Sequence, residues 1–240
     1  MKPLFVVSGI INAIMLVALV LFLGIQLPSF GMWYYRWQFS INDTYVRVNM
    51  EPEHLHEVTA HMIDYLQIRI GRDELQINTI VGGYERPFFS DIEIRHMYDV
   101  YDLFEMGIML RNIAAVVFIL TLLPFVFLRN KLKKSTDYLL NGWKWMSLGI
   151  FSALFALVVA IAINWHRAFV IFHEIFFDND YWILNPNVDL LLNIVPYDFF
   201  INLSIFIGAF FAAGLAIIFA ISAILLKRRR RRPSISFGKL

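Results

Sequence analysis

Four runs of apolar residues mark out the chain: roughly residues 4–27, 106–128, 146–163 with a possible extension, and 199–226. At 1.5 Å per residue, runs of this length cross ~30 Å of hydrocarbon, so the pattern predicts four spanning helices. The first run is too long for the apolar region of a signal peptide and has no evident small-residue cleavage site, so it is read as a retained anchor. Between the first and second runs the pattern changes. Residues 34–41 and 45–49 are rich in aromatic and β-branched side chains, which predicts short strands. Residues 53–67 repeat apolar positions at Leu55, Val58, Met62, Ile63 and Leu66, the spacing of a helix, with Pro52 in its first turn. Residues 75–81 read as another strand, turned at Gly82-Gly83. In residues 91–104, Met97, Val100, Tyr101 and Phe104 keep helical spacing, so this element is expected to run into the second span.

The expected fold class is therefore a mainly α membrane protein. It has four transmembrane helices and a small mixed α/β extracytoplasmic cap between spans 1 and 2. The expected layout is span 1 at 1–30, cap at 31–104, span 2 at 105–128 and a basic loop at 129–145. Span 3 follows at 146–171, then a second outer loop at 172–198, span 4 at 199–226 and a basic tail at 227–240. A cap of roughly 70 residues is marginal as an independent domain and is expected to lean on the bundle.

Composition agrees with the pattern. The chain is 59% hydrophobic and 17% charged, with a mean hydropathy of +0.61, whereas soluble domains are about half apolar and a quarter charged. Net charge is only +2, but the charges are segregated. Lys2, the loop cations Arg129, Lys131, Lys133 and Lys134, and the run from Lys227 to Arg232 fall on one side. Between Pro28 and Glu105 there is no lysine, and acids outnumber arginines. The positive-inside tendency then puts both termini in the cytoplasm and the cap on the opposite side of the membrane. Directly after a spanning helix, the 227–232 run reads as an anchor for anionic lipid headgroups rather than as a nucleic-acid site. The protein has no cysteine, which excludes disulfides, a thiolate nucleophile and Cys-ligated metal.

Candidate chemistry narrows to histidine. Of the six, His54, His56 and His61 cluster, but on a helix His54 and His61 lie about 10 Å apart and His56 points elsewhere. There is no HExxH and no i,i+4 pair, so no metal is expected and these three read as solvated histidines on a polar face. No G-x-S-x-G elbow supports an acyl-serine enzyme. His96 lies in RHMYDV at the base of the cap, and His173 in FHEIFF at the outer end of the third span. Two such imidazoles could pass a proton near neutral pH if cap and bundle bring them together; otherwise they are unrelated interfacial residues. Arg111 and Arg167, near span ends, either hold a carbonyl or phosphate or pair with an acid such as Glu105 or Glu174.

The motif RHMYDV, followed later by FHEIFFDNDYWILNP and then IVPYDFF, resembles the bacterial lipoprotein intramolecular transacylase family. The resemblance covers the four-span topology and these two stretches; the cap from 34 to 90 shows none. It implies an enzyme, an acyltransferase, that moves the sn-2 acyl chain of a diacylglyceryl-modified lipoprotein to the α-amine of its N-terminal cysteine. The partners implied are the diacylated lipoprotein and membrane lipids, with no cofactor. The resemblance matches the catalytic histidines to His96 and His173, at the outer leaflet. Arg95, Asp99, Asn179, Asp180 and Trp182 are candidates to orient an imidazole, bind substrate amides or fix the loop; a structural role suits each equally well. A membrane-surface lipid or lipopeptide hydrolase using the same histidines, or a non-enzymatic sensor or assembly protein, remains as an alternative.

Overall fold

A computed structural model describes residues 2–128 and 134–231, so the expected roles of Arg129, Lys131, Lys133 and Arg232 lie outside the described residues. The chain forms α1 (Lys2–Ser29), α2 (Met32–Ile41), α3 (Thr44–Val48), α4 (Pro52–Leu66), β1 (Asn78–Val81), β2 (Tyr84–Pro87), α5 (Asp91–Phe127), α6 (Ser135–Ile163), α7 (Trp165–Phe176), α8 (Leu190–Ile194) and α9 (Tyr197–Arg231). Four of these, α1, α5, α6 and α9, are long and apolar enough to cross a membrane. α5 is continuous from Asp91 through Phe127, as the spacing of Met97, Val100, Tyr101 and Phe104 predicts. α6 begins already at Ser135, well ahead of residue 146, and ends at Ile163. Asn164 then interrupts the helix and caps α7, its side chain accepting a hydrogen bond from the Arg167 amide at 2.9 Å.

Two expected strands are helices instead. Residues 34–41 lie in α2 and residues 45–49 largely in α3. The aromatic content that suggests strand is used at helical period: Tyr34, Tyr35, Gln38 and Phe39 form the buried face of α2. Such side chains fit any half-buried surface, so packing rather than propensity decides the backbone. The expected strand near residues 75–81 does form, as β1, and pairs antiparallel with β2 across Gly82 and Gly83. Both glycines have positive φ, 61° and 84°, which a tight hairpin of right-handed twist requires.

The chain divides into two compact units. One comprises Phe22–Leu110 and Val159–Gly208. Its core gathers Tyr34 and Phe39 of α2, Leu55, Val58 and Tyr65 of α4, Met97 of α5, Leu191 and Ile194 of α8, and Phe199 of α9. Polar groups inside it are matched: the Tyr34 hydroxyl donates to the Phe199 carbonyl at 3.2 Å, and the Tyr65 hydroxyl to the Met97 carbonyl at 3.1 Å. The second contact holds α4 against α5 next to His96.

The other unit comprises Met1–Leu21, Arg111–Val158 and Ala209–Leu240. Asn12 of α1 is fully buried there. Its Nδ2 donates to the Phe118 carbonyl at 2.8 Å and to Thr121 Oγ1 at 3.1 Å, while its Oδ1 accepts from Trp143 Nε1 at 2.9 Å. Hydrocarbon offers no competing partner, so one amide joins α1, α5 and α6. Nearby, α1 and α6 touch backbone to backbone. A Cβ on Gly142 would stand 2.7 Å from the Gly9 carbonyl oxygen. Gly142→Leu is therefore expected to force the helices apart, to cost about 1–3 kcal/mol and to lower the thermal midpoint of the purified protein; an unchanged midpoint would show that this approach is not close-packed.

Candidate active site

All the residues that meet at the two histidines belong to the unit built from 22–110 and 159–208. α5 presents His96 and, one turn on, Asp99, so the spacing in RHMYDV places both on one helix face. α7 carries His173, the only residue of that helix that is buried, while Phe172, Ile175 and Phe176 stay exposed. The ring centroids of His96 and His173 are 6.2 Å apart, with an interplanar angle of 34°. Phe177 lies against both, at 5.5 Å from His96 and 5.6 Å from His173. Trp182 stacks on His173 at 4.6 Å and 28°, and Phe169 packs on it at 4.3 Å. The pair is thus held within an aromatic surround.

The hydrogen bonding distinguishes the two rings. His173 Nδ1 is 2.7 Å from the Phe169 carbonyl oxygen. A carbonyl can only accept, so Nδ1 carries the hydrogen and Nε2 of the neutral ring is the nitrogen able to take a proton. Burial pushes the His173 imidazole below its ordinary value of 6.5, and the Phe169 carbonyl offsets part of that. The ring is accordingly neutral, the form a general base requires. His96 Nδ1 is buried and has no hydrogen-bond partner among the described residues.

The loop after α7 is pinned to α5. Asn179 Nδ2 donates to Asp99 Oδ2 at 2.9 Å, and Asn179 Oδ1 accepts from the Tyr181 amide at 3.0 Å. Arg95 lies over the Tyr181 ring at 5.6 Å and donates to its hydroxyl at 3.5 Å. Of the candidates named from sequence, Arg95, Asp99, Asn179 and Trp182 therefore gather around the histidines. Asp180 is exposed, and its backbone carbonyl accepts from the Ile183 amide. Arg167 lies 3.9 Å from Glu174, one of the acids named for it from sequence, in an exposed pair of small energetic weight. Arg111 is in the other unit, where its guanidinium donates to Asn112 Oδ1 at 2.9 Å.

Two of the other histidines are engaged elsewhere. His56 Nε2 is 2.9 Å from the Tyr45 hydroxyl and His61 Nε2 is 2.8 Å from the Glu74 carbonyl oxygen, so these two are tied into the fold rather than solvated. His54 is partly buried. Among the described residues no group of three His, Cys, Asp or Glu side chains is placed to hold one metal ion.

Reading from the sequence missed Glu93. It is 1% exposed. One carboxylate oxygen accepts from the Ser90 amide at 2.6 Å and the other from the Leu191 amide at 2.5 Å. Ser90 Oγ in turn donates to Asp189 Oδ1 at 3.0 Å, and Asp189 Oδ2 accepts from the Asn185 amide at 2.7 Å. Ser90-x-x-Glu93 is a capping box, a legible signal for the start of α5. The bond to Leu191, nearly a hundred residues on, has no local signal.

Residues 10–200 match the family described as lipoprotein intramolecular transacylase Lit. No curated protein matches the sequence. Among solved structures, the membrane-integral lipoprotein intramolecular transacylase Lit from Bacillus cereus is similar at a TM-score of 0.79 and 19% identity, with 97% of this chain and 100% of that chain covered. The same Bacillus cereus protein with a histidine-to-alanine substitution is similar at a TM-score of 0.72 and 19% identity, covering 94% of this chain and 95% of that one. A histidine-to-arginine form is similar at 0.69 and 19%, covering 93% and 92%. At that identity the structures speak for the fold, while the match over residues 10–200 speaks for the family: a chain with four helices long enough to span a membrane and two paired imidazoles belongs to the lipoprotein intramolecular transacylase Lit family, an integral membrane acyltransferase.

Proposed function

We propose that the chain transfers the sn-2 acyl group of a diacylglyceryl-modified lipoprotein to the α-amine of the N-terminal cysteine of the same molecule, leaving an N-acylated lyso-lipoprotein. The observation that carries this reading is the pair of imidazoles 6.2 Å apart, one of them neutral with a defined basic nitrogen. The α-amine attacks the ester carbonyl and forms the C–N bond. His173 Nε2 takes the proton that the nitrogen loses. The C–O bond to the glycerol breaks, and the proton passes through His96 to the departing alkoxide oxygen. One proton moves from nitrogen to oxygen, and both rings end neutral. Ring centroids about 6 Å apart leave room for direct transfer or for one bridging group between the nitrogens.

Donor and acceptor share one substrate molecule, so much of the entropic barrier is removed before binding. What remains for the protein is to hold the reactive conformer and to keep water from the ester. The aromatic surround of Phe169, Phe177 and Trp182 does the second. Asp99, Asn179 and Arg95 hold the loop that supplies Trp182, while Asp180, exposed at the loop, is the group in position to meet the substrate's polar backbone. The exposed apolar face of α7, with Phe172, Ile175 and Phe176, supports a site reached from lipid. Lys2, Lys134 and the cations after Leu226 support cytoplasmic termini and a site at the outer leaflet of a bacterial cytoplasmic membrane.

Two measurements test the reading. His173→Ala and His96→Ala are each expected to reduce transfer by about 10²–10⁴-fold, read by mass spectrometry of lipoprotein N-terminal peptides from membranes. Undiminished transfer in either variant removes that histidine, and free fatty acid in place of N-acyl product makes the enzyme a hydrolase. Because burial disfavours the imidazolium, His173 is expected to be the Nδ1–H tautomer at pH 7 and to titrate below 6.5 in imidazole nitrogen NMR. A midpoint at or above 6.5 would sink the claim that burial tunes the base.

A further inference from the structure

In the unit built from α1, α6 and the later part of α9, a set of cations stands apart from the acyl-transfer chemistry. Along α9, Ala223, Leu226, Lys227, Arg230 and Arg231 recur at helical spacing and form one face. With Lys144 of α6 they line a cavity of about 280 Å³. No acidic side chain lines it. The acid nearest in sequence to Lys144, Asp137, is engaged by Arg229 at 2.6 Å, a residue outside the cavity. Lys144 is held by aromatic faces instead: its Nζ lies 4.6 Å from the Trp145 ring centroid and 5.7 Å from that of Phe219 on α9. None of the four lining cations has an ion-pair partner among the described residues. The stretches 129–133 and 232–240 contain no aspartate or glutamate that would supply one.

A basic run after a spanning helix is ordinarily a solvated face that attracts anionic lipid without a defined site. Three features set this group apart. The charge includes Lys144, which is outside the run and on another helix. Ala223 and Leu226 continue the apolar surface of the span directly into the charged end. The Arg229–Asp137 pair ties the end of α9 to the first turn of α6, the helix that carries Lys144. Four like charges around one cavity repel one another, and an anion between them relieves that repulsion. Apolar at one end and cationic at the other, the cavity fits an amphiphile with a phosphate ester head. We propose that Lys144, Lys227, Arg230 and Arg231 bind the phosphate of an anionic membrane glycerophospholipid, whose chains continue along the apolar surface of α9.

The test uses the full chain in phosphatidylcholine nanodiscs with increasing phosphatidylglycerol, and inorganic phosphate in a parallel arm. Retained lipid is counted by native mass spectrometry. Wild type is expected to retain phosphatidylglycerol. Lys144→Ala and Arg230→Ala are each expected to weaken retention about five- to tenfold, and Lys144→Arg to preserve it. Arg228→Ala, which removes the same charge from a residue that does not line the cavity, is expected to leave retention unchanged. Equal loss in Arg228→Ala and Lys144→Ala would reduce the effect to diffuse attraction and overturn the site. Unchanged retention in folded Lys144→Ala would overturn it as well. Competition by inorganic phosphate at matching concentration would make it an ion site and not a lipid site.

Discussion

The carboxylate of Glu93 is nearly sealed from water, yet it takes hydrogen bonds from two places far apart in the chain. A carboxyl group at that depth is tolerable only where its oxygens are satisfied, and here the Ser90 and Leu191 amides do so. The consequence is geometric. The start of α5, which carries His96 one turn later, is tied to the turn that opens α8. Asp189, through Ser90 and Asn185, extends the same tie to the loop between α7 and α8. That loop supplies Trp182, which stacks on His173. The distance between the two imidazoles thus depends on a buried polar network that includes neither of them. Such networks are costly when half satisfied and rigid when complete.

Around the histidines the opposite physics operates. Phe169, Phe177 and Trp182 remove water from His173, which lowers its proton affinity, and a single backbone carbonyl selects which nitrogen stays basic. The same desolvation favours aminolysis over hydrolysis in the proposed reaction, because the ester would otherwise meet water. In that proposal one aromatic wall serves both proton chemistry and the choice of nucleophile.

The unit that holds most of the spanning residues is stabilised by other means. Hydrocarbon gives helices little hydrophobic reason to associate, so contacts come from close approach and from polar side chains. Gly9 against Gly142 provides the first, and Asn12 with Thr121, Phe118 and Trp143 the second. At the end of α9 the balance of charge is left open, with Arg229 paired and Lys227, Arg230 and Arg231 turned to a shared cavity.

Much of this protein was readable along the chain. Hydropathy alone marks four spans, because a membrane demands long uninterrupted apolar runs. The helical period of Leu55, Val58, Met62 and Ile63, the continuity of α5 and the Gly82-Gly83 hairpin are local patterns, and local patterns survive without knowledge of neighbours. The motifs holding His96 and His173 are likewise visible, as histidines in aromatic or acidic stretches next to a span. Residues 34–41 and 45–49 were misread as strands because aromatic and β-branched side chains suit any half-buried surface, and only the neighbours packed against Tyr34 and Phe39 select a helix. The tie from Glu93 to Leu191, the approach of His96 to His173 and the cavity that recruits Lys144 were decided by tertiary structure alone. Each needs partners brought together from distant positions, and spacing along a chain carries no information about which distant groups will share a desolvated volume.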